Sequence, residues 1–479
     1  MTGDAQGAAE RSAQRPHPDR LLPADPSIRA IARRLYEGIR DLPIISPHGH
    51  VPPQWIAENT PFGDPTSLLI SPDHYVVRLL HAAGVPLSDL GAGSAELTPD
   101  GARAAWRALC THWSAFRGTP SRFWLESELS EIFGVTERPS AASADAIYDR
   151  IAETLQRPDF RPRELLARFG IEVLATTDDP CDDLAAHAAI RDDASVATRV
   201  LPTFRPDRYL EPARADWPQL VEALGGAADT DTGDFKGFIA ALEARRRYFV
   251  DHGAVSADHS HPDIDTTPLD LADAERIFTA ARAGRASAAE ATALRRHLLL
   301  EMARMSVEDG LVMTLHPGIY RNHHTPTFER FGADVGCDIP TTVEFTRALQ
   351  PLLARYGTAD GFHLVLFTVD ETVYSREIAP LAGFYPSVFA GVPWWFLDAP
   401  EAIRRFRGAV TETAGFSRTS GFIDDTRAFC SIPARHDMSR RLDSAYLAEL
   451  VATHRLDEDE AAETAHDLVT VNPRVAFKL

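Results

Sequence analysis

Between residues 27 and 41 the apolar positions Ile28, Ile31, Leu35 and Ile39 recur at helical spacing, with Ser27 placed to cap the first turn. A short unbroken apolar run follows at 43–46, "PIIS". Runs of this length, with no 3.6-residue rhythm, read as strands buried on both faces. Seven more occur: "EVLATT" (172–177), "RVLPTF" (199–204), "AVSADH" (254–259), "GLVMTLH" (310–316), "HLVLFTV" (363–369), "VPWWFL" (392–397) and "SGFIDD" (420–425). Helical patterns such as 294–305 and 343–356 lie between most of them. Strands alternating with helices predict a parallel sheet, and eight such units predict a (β/α)8 TIM barrel.

The spacing is uneven at one place. Residues 51–171 separate the first two strands, too many for a single crossover helix. The stretch carries helical patterns such as "LESELSEIF" (125–133), which predicts a helical insertion over the barrel mouth. Within it, "SPDHYVVRLL" (71–80) places His74, Tyr75 and Arg78 at the start of a helix capped by Asp73. The expected organisation is a loose tail over 1–25, a barrel from 26–50 and 172–479, and a cap from 51–171.

The residues just past the candidate strands are rich in chemistry. In order they are His48 and His50; Asp178 and Asp179; Arg205; Asp258 and His259; His316; Asp370; Asp398; and Asp425 with Arg427. Barrel enzymes build their active sites from this face. Aspartate also caps helices, and Asp179 and Asp398 read as caps. Histidine is not a favoured cap, yet it follows strands one, four and five. His48 and His50 are two residues apart, so on an extended backbone both imidazoles face one side and can hold one metal ion.

Composition narrows the partners. The chain has 479 residues, 44% hydrophobic and 25% charged, with a net charge of -20. Such a surface repels nucleic acid and anionic membranes, and an anionic substrate would need a local arginine cluster. No apolar stretch approaches a membrane span, and the first 25 residues lack the apolar core of a signal peptide. Cys110, Cys181, Cys337 and Cys430 lie far apart with no C-x-x-C, so a reduced cytoplasmic protein is expected. The oligomeric state is left open, a homo-oligomer included. Only Lys236 and Lys478 are lysines.

The motifs, taken in order, resemble the uronate isomerases, the glucuronate/galacturonate isomerase branch of the amidohydrolase superfamily. "PIISPHGH" (43–50) is similar to the family's P-I-I-D-x-H-x-H, and "DHYVVR" (73–78) to D-H-Y-x-W-R. "TTDDP" (176–180) is intact, "PTFRPD" (202–207) matches closely, and "SADHS" (256–260) stands for S-D-H-G. "LHPGIYRNHH" (315–324), "GADVGCD" (332–338), "PWWFLD" (393–398), "GFIDDTRAF" (421–429) and "NPRVAF" (472–477) complete the series. The chain departs from the pattern at Ser46, His323 and His324, positions that bear on which uronate is preferred.

The resemblance implies a metal site of His48, His50 and Asp425, with His316 in or beside it. Superfamily relatives with two ions bridge them with a carboxylated lysine. Neither lysine here follows a candidate strand, so one divalent ion is expected, zinc by ligand type ahead of manganese or iron. The implied reaction is aldose–ketose isomerisation of a hexuronate. It needs a base at C2, a group to move the hydroxyl proton, and a grip on the carboxylate. Asp425 beside Arg427 fits the base, Tyr75 and His74 the hydroxyl proton and sugar orientation. Arg205, Arg321 and Arg427 fit the carboxylate, with Asp258 and Trp394 at the sugar. The alternatives are a metal-dependent hydrolase on the same barrel and an inactive sugar-acid-binding regulator. "DHY" and the arginines argue against the first, the intact His48, His50 and Asp425 against the second.

Overall fold

A computed structural model describes residues 16–93 and 96–479. Strands β1 (Ile44–Ser46), β2 (Ile171–Ala175) and β3 (Arg199–Leu201) pair in parallel in that order. A second parallel arc follows from β4 (Thr203–Phe204) and β5 (Ser256–His259) to β6 (Val312–Leu315). Strands β7 (Ile319–Tyr320) and β8 (Ile339–Pro340) form a separate antiparallel hairpin. The arc then continues from β6 through β9 (Leu364–Leu366) to β10 (Val388–Ala390).

The two arcs are one ring. Pro202 cannot donate to a ladder, and it divides the third barrel strand into β3, which pairs with β2, and β4, which pairs with β5. Asp178 bridges Phe204 across that break. On the far side Ala390 bridges Thr419, and the His50 amide donates to the Thr426 carbonyl at 3.0 Å. Every pairing around this ring is parallel, as the (β/α)8 reading requires. β6, β9 and β10 are buried at every residue, which is why β6 and β9 read as continuous apolar runs.

Three local expectations are corrected. The seventh barrel strand is β10, not 392–397. The aromatics there are buried because they wall a cavity, and Trp395–Leu397 is a 3-10 turn entered at φ +49°. The eighth segment, 420–425, forms no ladder of its own: Gly421 at φ +71° and Asp425 at φ +41° interrupt the extended backbone. A side chain at Gly421 would come within 2.5 Å of Pro473, so this close approach requires glycine. The first helix among the described residues is Pro26–Ile39, capped by Asp25 rather than Ser27. Proline at its first position leaves Asp25 to accept from the Ser27 and Ile28 amides.

The insertion between β1 and β2 contains helices from Pro53–Glu58 to Pro162–Arg168. Their apolar faces form a core of their own, with Trp106, Trp113, Phe116 and Ile151, that joins the barrel at Ile44, Ile171 and Leu174. Of the tail expected over 1–25, residues 1–15 lie outside the described residues. Residues 16–25 pack down: Arg20 pairs with Glu131 and Asp437, and Leu22 lies against the Pro26–Ile39 helix core. Among the described residues no helix is long and apolar enough to cross a membrane.

Helix Pro120–Ser127 runs into a π-turn, Glu128–Ile132, that buries the Glu128 carboxyl at 3% exposure. Burial pushes this acid from 4.5 up to about 8; Asp73 adds to the shift and Arg435 opposes it. A folded-state value above the unfolded one means the contribution is complete below pH 4.5 and is lost as pH rises through about 8. Glu128→Gln should therefore match the wild type in urea midpoint near pH 5. Near pH 9 it should exceed the wild type by an amount equivalent to a few kcal/mol. A gap that fails to widen with pH would mean that Glu128 is ionised in the fold.

Candidate active site

The site grows from the exit of β1. Ser46 is fully buried, and the chain leaves the sheet through Pro47 with His48 at 1% exposure. The rings of His48 and His50 meet edge to face at 5.4 Å. Both reach the same atom: Asp425 Oδ1 lies 3.3 Å from His48 Nε2 and 2.9 Å from His50 Nε2. Asp425 holds a left-handed backbone conformation, rare for a residue with a side chain and concentrated at functional sites.

Strands β5 and β6 supply the next layer. Side chains alternate along β5, so Asp258 faces inward, while His259 turns its Nδ1 to the Thr314 carbonyl at 3.1 Å. Asp258 accepts from Thr314 Oγ1 at 2.7 Å and from His316 Nδ1 at 2.6 Å. With Nδ1 donating to a carboxylate, His316 presents a bare Nε2, which has no hydrogen-bond partner among the described residues. The His316 ring stacks on His48 at 4.6 Å. Ligand atoms of His48, His316 and Asp425 all lie within 4.8 Å of one another.

This donor set fits a metal ion. A carboxylate that fixes the tautomer of a histidine and bares its other nitrogen is the usual outer support of a metal ligand. Electrostatics agree. Burial works against a charge on His48, yet Asp258 and Asp425 outweigh it and raise its pKa, so the cluster calls for a cation. Burial pulls His50 down to about 4 against the pull of Asp425, leaving it neutral. His50 joins the group through Asp425.

The remaining candidates close around the same cavity, of about 440 Å³. Asp73 caps the helix His74–Ala82, accepting from the Tyr75 amide at 2.9 Å, and so sets His74 and Tyr75 in the first turn facing the barrel. Their rings stack at 4.7 Å. Burial, with Arg427 adding to it, takes His74 down to about 3, so its imidazole is neutral. Trp394 stands edge-on to His316 at 4.7 Å. Arg205 bridges Asp207 at 2.8 Å and Asp258 at 3.5 Å. Arg321 lies over the Trp395 ring at 4.9 Å and pairs loosely with Asp338 at 3.3 Å.

His48, His50, His74, Tyr75, Arg205, Asp258, His316, Arg321, Trp394, Asp425 and Arg427 thus all line one cavity. Several strand-end residues do not. Asp178 serves Thr176 and the Thr203 amide, and Asp370 closes a turn on Thr372. The two expected caps are not helix caps: Asp179 accepts from the Cys181 amide and the Tyr209 hydroxyl, and Asp398 pairs with Arg435. Asp334 was missed. It pairs with Arg427 at 2.8 Å and approaches Arg321 at 3.7 Å, joining two arginines across the mouth. It comes from the excursion after β6, and no strand-end rule points to it; its block, "GADVGCD", was the available signal. Burial works to raise Asp334, but Arg427 and Arg321 prevail and hold it at about 2.

Comparison with known proteins gives a consistent result. The family model described as glucuronate isomerase matches residues 27–477. A uronate isomerase of Cutibacterium acnes is 58% identical over 461 residues, covering 96% of this chain and 98% of that protein. The crystal structure of a glucuronate isomerase from Caulobacter crescentus superposes with a TM-score of 0.95 at 46% identity, covering 97% of each chain. That of a uronate isomerase from Thermotoga maritima does so with a TM-score of 0.90 at 28% identity, covering 96% of this chain and 99% of that one. With a barrel of this type, a His-His-Asp cluster at its mouth and relatives matched along nearly the whole length, the chain belongs to the uronate isomerase family.

Proposed function

We propose that the chain is an aldose–ketose isomerase of hexuronates, converting D-glucuronate to D-fructuronate or D-galacturonate to D-tagaturonate by moving a proton between C2 and C1. The observation that carries the reading is the meeting, in one cavity, of a carboxylate set among imidazoles, a tyrosine–histidine pair from the insertion, and Arg205, Arg321 and Arg427. Hydrolysis of a neutral amide would leave the last two groups without a task.

In this reading His48, His50, His316 and Asp425 would hold one divalent ion, zinc by ligand type. When bound it would supply Lewis-acid polarisation of the sugar oxygens. Arg321, the arginine with the loosest ion pairs of the three, takes the substrate carboxylate, assisted by Arg205. Asp425 removes the C2 proton and returns a proton to C1. Burial works to raise its pKa, but His48 and His50 outweigh it and hold the carboxyl well below the usual range, so it is ionised and ready to accept. Tyr75 carries the hydroxyl proton between O2 and O1, and neutral His74, stacked on its ring, steadies the exchange. Arg427 faces the enediolate charge as it develops.

The metal assignment is tested by elemental analysis. One divalent ion per chain is expected, and His48→Ala should lower the content sharply. Two ions per chain, or an unchanged content in the variant, would remove the single-ion site. The proton chemistry is tested by proton NMR in deuterated water with both uronates. Deuterium should enter C1 of the ketose. Asp425→Asn should lose turnover by on the order of a thousandfold while retaining substrate binding. Arg321→Met should show the reverse, a raised KM with a smaller effect at saturation. If Asp425→Asn holds its metal and turns over near the wild-type rate, the assignment of the base is wrong.

A further inference from the structure

Arg435 does not touch the cavity, yet the geometry assigns it to the reaction. It sits on the helix Ile432–Ala452 and is fully buried. Its Nη1 donates at 2.7 Å to Asp398, which directly follows the Trp395–Leu397 turn, and its Nε donates to Ser431 at 2.9 Å. The other face of the guanidinium meets the insertion. Its central carbon lies 3.6 Å from the centre of the Trp124 ring and 5.0 Å from that of Tyr75. Those two rings meet edge to face at 5.4 Å. One planar cation therefore joins the barrel to Tyr75 and to Trp124, the ring packed against it.

A buried charge is a costly way to fill space. Its desolvation is repaid only by close partners, and apolar side chains of similar size do as well for stability. What a guanidinium adds is direction: it hydrogen-bonds in its plane and stacks on its faces, so barrel and ring are held at one angle. Asp398 shows how far this contact is withdrawn from water. Burial pushes its carboxyl up to about 7, with Arg435 opposing.

We infer that Arg435 is a positioning residue for Tyr75, locking the phenol ring of the insertion at a fixed place over the barrel mouth. The inference rests on the reading above, in which Tyr75 carries the hydroxyl proton. A displacement of about 1 Å in a reacting group can cost about a hundredfold in rate. Loss of the lock should therefore fall on kcat and leave carboxylate binding by the arginines in place.

The test is a double-mutant cycle on the metal-loaded enzyme with D-glucuronate and D-galacturonate: wild type, Arg435→Lys, Tyr75→Phe and the double variant. Lysine keeps the charge but cannot stack and fork at once. Arg435→Lys should lower kcat by roughly ten- to a hundredfold with KM changed less than about threefold. In the Tyr75→Phe background the same substitution should lower kcat by less than about twofold, because its effect passes through the missing hydroxyl. A merely structural role would give the same loss in both backgrounds, and that result overturns the inference, as does wild-type kcat in Arg435→Lys. Asp398→Asn, which frees the same guanidinium on the barrel side, is the companion variant if Arg435→Lys fails to fold; it should show the same pattern. A wild type that isomerises neither uronate would overturn the functional reading and this inference with it. Active wild type with additive losses would overturn this inference alone.

Discussion

The contact on which the rest depends is that of Asp425 with His48 and His50. It joins the end of the last barrel segment to the exit of the first, where the main-chain ladder is thinnest. Around that seam the chain has one amide–carbonyl bond, His50 to Thr426, and a side-chain cluster instead of a paired strand. Closure of the barrel and assembly of the reactive centre are thus the same event. The left-handed backbone at Asp425 persists because the seam over-determines it.

This explains what was legible in the sequence. The (β/α)8 pattern was readable because β6, β9 and most of the other barrel strands are buried on both faces and stand out as apolar runs. The meeting of His48 and His50 at Asp425 was readable because H-x-H follows a strand directly. The seventh and eighth segments were misread for a common reason. At 392–397 and 420–425 burial comes from walling the cavity and closing the ring rather than from strand pairing, and apolar content cannot tell those apart. Asp334 was invisible to the strand-end rule because it lies in an excursion, and its part is defined only by the arginines it meets in space.

The charge of the molecule takes its meaning from the same place. A chain at -20 must bind an anion, and it does not leave its cavity arginines free to do so. Arg205, Arg321 and Arg427 are each held by carboxylates, among them Asp207, Asp258, Asp338 and Asp334. This has two physical effects. The guanidinium planes are fixed before substrate arrives, so less side-chain entropy is lost on binding. An incoming carboxylate also meets a compensated site, which disfavours inorganic anions that offer only charge and favours a ligand that also satisfies the sugar-facing groups.

The start of the insertion shows why a bland reading and a functional one need not compete. Asp73 is an ordinary helix cap, and apart from the family motif the sequence around it reads as a capped helix. The cap accepts from the Tyr75 and Val76 amides, which fixes the first turn. A helix has a definite rotational phase once its first turn is set. With that phase set by Asp73, His74 and Tyr75 face the cavity, and Val76, Val77 and Leu80 enter the core of the insertion. Small changes of phase would carry Tyr75 away from Asp425 even with every apolar contact kept. On the proposed reading the cap belongs to the functional apparatus because it is structural: a helix that brings Tyr75 to a barrel from a separate core needs its angle specified at both ends, by Asp73 along its axis and by the aromatic stack on Arg435 across it.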